Sequence, residues 1–206
     1  MLRTIIGLMV FSLAPLAAAD VQLPAPRTDG GKPLMQALKL RKSVREFSSE
    51  KLSPQQLSNL LWAAFGINRA DGRRTAPSAM NWQEIDLYVT TADAVYVYEA
   101  KDHRLREVLA GDQRGLAGTQ AFVKDAPLNI VYVADTAKTQ RANADDQNLY
   151  TGADAGFIAQ NVYLFCASEG LGTVARGSID RAAFAKALKL RPEQKVILAQ
   201  TVGYTK

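Results

Sequence analysis

The feature that most constrains the fold is one long helical segment in the second half of the chain. Residues Tyr150 to Glu169 are predicted to form it, and Gly170 and Gly172 follow where a helix of that length should end. Four small residues, Gly152, Ala155, Gly156 and Ala159, recur along it. They predict a face that another backbone, or a flat ring, can approach closely.

The segments around this helix alternate between short strands and short helices. Ser53 and Gln56 form a capping box around Pro54, so a helix begins there and ends at Gly66. A first helix from Leu34 is expected to run into Arg41-Lys42-Ser43, Gln113 to Lys124 is weakly helical, and Asp180 caps a last helix through Ala187. Strands are predicted at Ile85 to Val89, Ala94 to Glu99, Leu105 to Val108, Leu128 to Ala134, Thr173 to Ala175 and Val196 to Val202. This order indicates an α+β fold rather than a regular βαβ alternation.

The N-terminus has the pattern of an export signal. Arg3 precedes an almost wholly apolar run from Thr4 to Leu16, and three alanines then fit a cleavage site before Asp20. An uncleaved membrane anchor is the alternative, but the run is short and contains Pro15. We therefore predict a signal peptide at 1–19, an extended arm at 20–33, one domain at 34–206, and a periplasmic or secreted location.

Composition excludes several classes of function. The chain has 206 residues, 48% of them apolar, and a net charge of +5, which is too small and too scattered to predict nucleic-acid binding. Cys166 is the only cysteine and lies in an apolar run, which indicates a buried thiol. His103, the only histidine, lies in a charged turn and is expected to be solvated. One histidine and one cysteine provide no metal site, so any reaction would need a borrowed cofactor.

Three short groups of residues carry possible chemistry. The first is Arg41, Lys42, Ser43 and Arg45, whose cations and hydroxyl suit a phosphate monoester, although composition alone favours a solvated basic helix end. The second is the turn-rich stretch 74–83, with Pro77, Ser78, Ala79 and Asn81 before a strand. The third is 170–177, where Ala175, Arg176 and Gly177 follow two glycines. Each group also has an ordinary structural explanation.

Together and in this order, these groups resemble the nitroreductase family of FMN-dependent oxidoreductases, over about Leu34 to Tyr204. The stretch 41–47 is similar to the family's R-x-S-x-R-x-F motif, and 74–79 to its P-S loop in the form of the SagB-like dehydrogenase branch. The hairpin from Val95 to Leu105 resembles that branch too. Gly152 to Gly172 and Val202-Gly203-Tyr204 match the central helix and the closing strand.

The resemblance implies a nitroreductase-like fold, with a mostly antiparallel central sheet flanked by helices, in an intertwined homodimer with FMN at the subunit interface. It implies that Arg41, Lys42, Ser43 and Arg45 hold the phosphate and ribityl chain, and that Lys206 adds a weak contact. Pro77, Ser78, Ala79 and Asn81 would come from the other subunit. Ala175, Arg176 and Gly177 would line the flavin ring, with Arg176 the candidate for tuning its charge.

The implied activity is hydride exchange between flavin N5 and a small organic molecule. That molecule is a nitroaromatic or quinone-like acceptor, or a substrate to be dehydrogenated as in SagB-like enzymes. The electron donor, NAD(P)H or another, stays open because nicotinamides are scarce outside the cytoplasm. Two alternatives remain: an exported flavin- or anion-binding protein without turnover, and a basic scaffold that binds no flavin.

Overall fold

A seven-stranded antiparallel sheet forms the centre of the computed structural model, which describes residues 19–206. The predicted signal peptide therefore falls almost entirely outside the described residues. The strands are, in chain order, β1 (Val21–Gln22), β2 (Ile85–Thr91), β3 (Ala94–Glu99), β4 (Arg104–Ala110), β5 (Leu128–Asp135), β6 (Gly172–Arg176) and β7 (Gln194–Gly203). They lie in the order β1-β4-β3-β2-β5-β7-β6, and every neighbouring pair is antiparallel.

Four α-helices accompany the sheet in the described part of the chain: α1 (Leu34–Leu40), α2 (Pro54–Phe65), α3 (Ala144–Glu169) and α4 (Arg181–Ala187). The predicted capping box is confirmed, because Ser53 Oγ accepts from the Gln56 N–H while Gln56 Oε1 accepts from the Ser53 N–H. Asp180 caps α4 as expected. The weakly helical stretch 113–124 folds only as two single 3₁₀ turns, Arg114–Ala117 and Ala121–Val123.

The centre of the sheet is buried on both faces. In β5, Ile130, Tyr132 and Ala134 pack toward α2 and α3, whereas Val131 and Val133 pack toward α4 on the opposite face. All eight residues of β5 are buried, which confirms the prediction of a strand covered on both sides. Helix α3 lies across one face of this sheet through Ile158 and Val162, and its other side remains open.

The small residues of α3 do not all share one environment. Ala155 and Ala159 are buried against the sheet, whereas Gly152 and Gly156 are exposed, and a Cβ atom built on either glycine would meet nothing within 4 Å. The predicted small-residue face is therefore divided between the protein core and the open side of the helix. Only the two glycines are free for close approach by another backbone.

Candidate functional site

The basic segment after α1 is extended, not helical. Helix α1 ends at Leu40, and Arg41 already has φ −56° and ψ 120°. The Val44 N–H then donates to the Thr173 carbonyl at 2.9 Å, and Phe47 pairs with Thr205. The free edge of β6 thus captures the segment, and the burial of Phe47 anchors it. The expected helix through Ser43 is wrong. A fully extended backbone spans about 13 Å over four residues, against about 6 Å for one helical turn.

Tyr163 of α3 connects this segment to β6. Its hydroxyl oxygen lies 2.9 Å from Ser43 Oγ and accepts a hydrogen bond from the Ala175 N–H, also at 2.9 Å. The Arg41 guanidinium stacks over the ring at 5.3 Å from its centre. Either hydroxyl can donate in the Ser43–Tyr163 hydrogen bond. Where Tyr163 donates, the Ser43 hydroxyl is left to donate outward.

The cations of the segment are not neutralised by the protein. Among residues 19–206, Arg41, Lys42, Arg45 and Lys206 form no ion pair. A cavity of about 330 Å³ is lined by Lys42, Ser43, Val44, Arg45, Glu46, Thr205 and Lys206. Three cationic side chains and a hydroxyl against the single side-chain carboxylate of Glu46 suit this cavity to an anion. Lys206, for which the sequence suggested a weak contact, is among the residues that line it.

Arg176 occupies a different place from the one expected. Its side chain is 7% exposed and lies on the sheet face away from α3. It donates to the Ala117 carbonyl, to Asn129 Oδ1 and to Thr201 Oγ1. Burial lowers the pKa of this guanidinium to about 10, so it remains a cation at neutral pH. Alternation along β6 turns the side chain away from Tyr163, so only the backbone of 175–177 remains at the strand edge as a candidate contact.

The loop at 77–83 is held by internal hydrogen bonds. The Ala79 N–H donates to Asp154 Oδ2 at 2.9 Å, and Ser78 Oγ accepts from the Gln83 N–H at 2.8 Å. Met80, Asn81 and Gln83 have φ values of 50°, 55° and 49°, in the left-handed region that such residues seldom adopt. Such a backbone conformation persists only where its surroundings determine it.

The two parts of the predicted site do not meet within one chain. Asp154, which holds the loop, and Tyr163, which joins the basic segment to β6, are nine residues apart on α3. This corresponds to about 13 Å along the helix axis. The structure thus brings Arg41, Ser43 and Ala175 together and leaves Pro77, Ser78, Ala79 and Asn81 at a separate position on the same helix.

Sequence reasoning missed Tyr163, Asp154 and Glu84. Asp154 did leave a signal, because it stands four residues before Ile158 on the buried stripe of α3, where an acid needs a partner. Tyr163 left no comparable signal, since an aromatic side chain at helical spacing is usually a core residue.

His103 corrects another expectation. Tyr98 Oη lies 2.9 Å from its Nδ1, and Ser58 Oγ lies 2.7 Å from its Nε2. Ser58 in turn donates to the carbonyl of Pro24, so the ring tethers the N-terminal arm instead of being solvated. Burial lowers the pKa of His103. Cys166 is fully buried, as predicted.

Comparison with known proteins adds independent information. The model of the nitroreductase family matches residues 38–204. A protein of Methanocaldococcus jannaschii named as a nitroreductase is 35% identical over 148 residues, which are 67% of this chain and 75% of that protein. A Ralstonia eutropha crystal structure, also named as a nitroreductase, has a TM-score of 0.88 at 40% identity, over 99% of this chain and 98% of the other. A Desulfovibrio desulfuricans structure in complex with FMN has a TM-score of 0.61 at 25% identity, over 85% and 88%.

Proposed function

The chain belongs to the nitroreductase family and is an FMN-dependent oxidoreductase, and on that premise we propose how its residues divide the work of holding the flavin. The observation that carries the proposal is the junction at Tyr163. There, the cation Arg41, the hydroxyl of Ser43 and the backbone of Ala175 meet at one aromatic side chain.

The residues present fit the phosphate end of FMN. A phosphate monoester carries up to two negative charges and accepts several hydrogen bonds. Arg45, Lys42 and Lys206 line one cavity with the Ser43 hydroxyl, and none of the three cations has an ion-pair partner among the described residues. We assign the phosphate to these groups and the ribityl chain to the side of Arg41 that faces Tyr163.

The ring end of the site takes in the edge of β6. We assign the backbone of Ala175, Arg176 and Gly177 to the flavin ring, because this stretch follows directly from the Tyr163 junction. The Arg176 side chain acts from behind the strand, as a buried cation surrounded by neutral acceptors. Its charge favours an anionic group on the other side of β6, without direct contact.

A second copy of the chain completes the site in this proposal. The side of α1 and α3 that faces away from the sheet exposes large apolar residues: Leu34, Met35, Leu38, Leu40, Leu149, Tyr150 and Phe157. Gly152 and Gly156 lie on the same open side and permit a close helix crossing. An apolar surface of this extent indicates an interface. In a homodimer built through it, Pro77, Ser78, Ala79 and Asn81 of one subunit would reach the flavin held by the other.

When bound, FMN supplies the hydride chemistry at its N5 atom. The protein's own residues then hold the phosphate, place the backbone of 175–177 against the ring and exclude water through the second subunit. We propose that the substrate is a small organic molecule that stacks on the exposed ring face. The direction of transfer follows either the nitroaromatic and quinone reductases or the SagB-like dehydrogenases that the sequence resembles.

The cofactor assignment is tested by the visible spectrum and by variants of the basic segment. Wild-type protein should bind FMN and show the oxidised flavin bands, whereas Arg41→Ala with Arg45→Ala should lose FMN and keep its far-UV circular dichroism spectrum. The double variant Arg73→Ala with Arg141→Ala removes two exposed arginines outside the basic segment and should bind FMN normally. Undiminished flavin content in the Arg41/Arg45 variant would refute the phosphate assignment.

Donor and location are proposals of their own. We propose export on the pattern of residues 1–19, which mass spectrometry of the mature N-terminus tests by looking for Asp20 as the first residue. If NADH or NADPH is the donor, anaerobic addition should bleach the flavin absorbance within seconds. If the protein instead oxidises its substrate, nicotinamides should leave the spectrum unchanged.

A further inference from the structure

Two carboxyl groups are buried together beneath the 77–83 loop. Glu84, the residue just before β2, is fully buried, and Asp154 of α3 is 2% exposed. Ser78 Oγ donates to Glu84 Oε2 at 3.2 Å, and the Ala79 N–H donates to Asp154 Oδ2 at 2.9 Å. Two adjacent residues near the start of the loop, Ser78 and Ala79, are therefore attached to one acid each.

The second oxygen of Glu84 has no hydrogen-bond donor. Glu84 Oε1 is buried and has no partner among the described residues. An ionised carboxylate with one oxygen in that position would be costly, because burial of an unpaired charge is among the largest penalties in a protein. A protonated oxygen at Oε1 becomes a donor, and the adjacent Asp154 carboxylate is the acceptor that remains.

The other charged groups around Glu84 are directed elsewhere. Lys138 Nζ donates to the Gln83 carbonyl and lies 3.5 Å from Asp86 Oδ1. Arg74 Nε donates to Gln83 Oε1, and its guanidinium stacks on Phe65. None of these cations reaches the Glu84 carboxyl.

The end of β5 supplies no counterion either. The Asp135 N–H donates to the Glu84 carbonyl, but the Asp135 carboxylate pairs with Arg191 on the other side of the strand. Desolvation by burial raises the pKa of Glu84, and the nearby Asp154 carboxyl raises it further, whereas hydrogen bonds from the Glu84 backbone and from Ser78 lower it. The net shift is upward, which favours the neutral acid.

We propose that Glu84 and Asp154 share one proton, and that this acid pair is the positioning element that keeps the Pro77–Gln83 loop in the shape in which it meets the flavin. The role of this pair toward the flavin rests on the function proposed above. The pair itself does not, because both carboxyls and both loop contacts lie within one chain. Glu84 and Asp154 are positioning residues here, since neither is assigned to touch the cofactor.

The proposal predicts a sign for the effect of pH. A carboxyl whose pKa is higher in the folded than in the unfolded state binds more protons when folded, so its stabilisation is complete below the unfolded pKa. That stabilisation is lost as pH rises through the folded pKa. The loop should also loosen as pH rises, because an ionised Glu84 repels Asp154. This repulsion strains the bonds from Ser78 to Glu84 and from Ala79 to Asp154.

The variant Glu84→Gln isolates this effect. An amide N–H replaces the carboxylic O–H toward Asp154, and the amide oxygen still accepts from Ser78, so the neutral pair is imitated at every pH. Wild-type protein should show a carbonyl-stretch infrared band of a protonated carboxyl near neutral pH that is absent from Glu84→Gln. In the absence of flavin, the urea midpoint of the wild-type protein should fall more steeply with rising pH than that of Glu84→Gln.

The pH dependence of flavin affinity distinguishes a positioning role of the acid pair from a purely structural role. FMN takes its second negative charge near pH 6. Binding by the basic segment should therefore strengthen with rising pH in Glu84→Gln. In the wild type the loosening loop should oppose this trend, so that the ratio of wild-type to variant Kd rises at least fivefold between pH 5 and pH 8.

The outcomes separate the two proposals. No infrared difference between wild type and Glu84→Gln, or identical pH dependence of their urea midpoints, would refute the shared proton. A shared proton together with a constant Kd ratio would refute the positioning role. Neither result bears on the phosphate site, which the Arg41/Arg45 variant tests independently, and loss of that site would leave the infrared and urea results unaffected.

Discussion

The basic segment 41–46 and the loop 77–83 differ in how far the protein itself satisfies their polar groups. Arg45 and Lys42 are exposed and have no ion-pair partner among the described residues. The loop, in contrast, has its backbone and hydroxyl groups attached to Asp154 and Glu84. The segment is thus available to a ligand, whereas the loop is shaped in advance by buried acids.

This difference has a physical reason. A phosphate binds through charge, and flexible cations in water can gather around it at modest entropic cost. A ring is recognised by shape, and shape requires a backbone held in place before the ligand arrives. Three left-handed residues in one short loop are the cost of that shape. Variants of the two regions should therefore separate stability from flavin binding.

The largest effect is expected for Asp154→Ala. The change leaves the Ala79 N–H without an acceptor and Glu84 without its partner, and should lower the free energy of unfolding by about 3 kcal/mol. Urea denaturation measures this loss. Asp125→Ala, which removes an exposed acid, should change stability by less than about 0.5 kcal/mol. Equal effects in the two variants would show that Asp154 does not hold the 77–83 loop.

Tyr163→Phe should come next, because it affects both stability and binding. Removal of the hydroxyl takes away one bond to Ser43 and the acceptor of the Ala175 N–H, which should cost about 1 kcal/mol in urea denaturation. FMN affinity should fall by about fivefold in fluorescence titration, since this is the affinity change that 1 kcal/mol represents. Tyr96→Phe, on β3 and outside every group assigned to the flavin, is the control. An unchanged FMN Kd in Tyr163→Phe would show that the Tyr163 junction does not contribute to FMN binding.

A smaller effect, confined to binding, is expected for Ser43→Ala. The hydroxyl is exposed, so stability should change by less than about 0.5 kcal/mol. FMN affinity should fall by roughly threefold through the loss of one hydrogen bond to the phosphate. Ser49→Ala, an exposed serine just beyond the segment, should bind FMN as wild type does. A stability loss in Ser43→Ala larger than its binding loss would contradict the contrast between the two regions.

Salt should have the smallest effect, and only on the basic segment. Raising ionic strength from 0.1 to 1 M shortens the Debye length from about 10 to about 3 Å. We expect FMN Kd to rise by about twofold to threefold, and by less in Arg45→Ala, which lacks one of the cations. Equal salt dependence in both proteins would show that Arg45 does not contribute to the phosphate site.

The predictions from sequence succeeded where the signal was local. The helix at 54–65 was recognised because Ser53, Pro54 and Gln56 specify its start by their own chemistry. The buried strand Leu128–Asp135 was recognised from its unbroken apolar run. The prediction of a helix through Arg41–Ser43 was wrong. The edge of β6 pairs with this segment in an extended conformation, and the sequence does not show that this edge is open. The expected position of the Arg176 side chain beside the flavin ring was missed for a similar reason. The strand turns this side chain to the sheet face away from Tyr163.

By itself, the sequence determined the α+β class, the family, and the residue types that can hold a phosphate, because hydrophobic period, caps and short motifs are properties of neighbouring residues. Tertiary structure decided which side of β6 Arg176 faces, which residue connects Ser43 to Ala175, and which acids hold the 77–83 loop. Apart from the bond between Ser78 and Glu84, those contacts join residues separated by 12 to 120 positions, and only the folded sheet and helix α3 bring them within hydrogen-bonding distance.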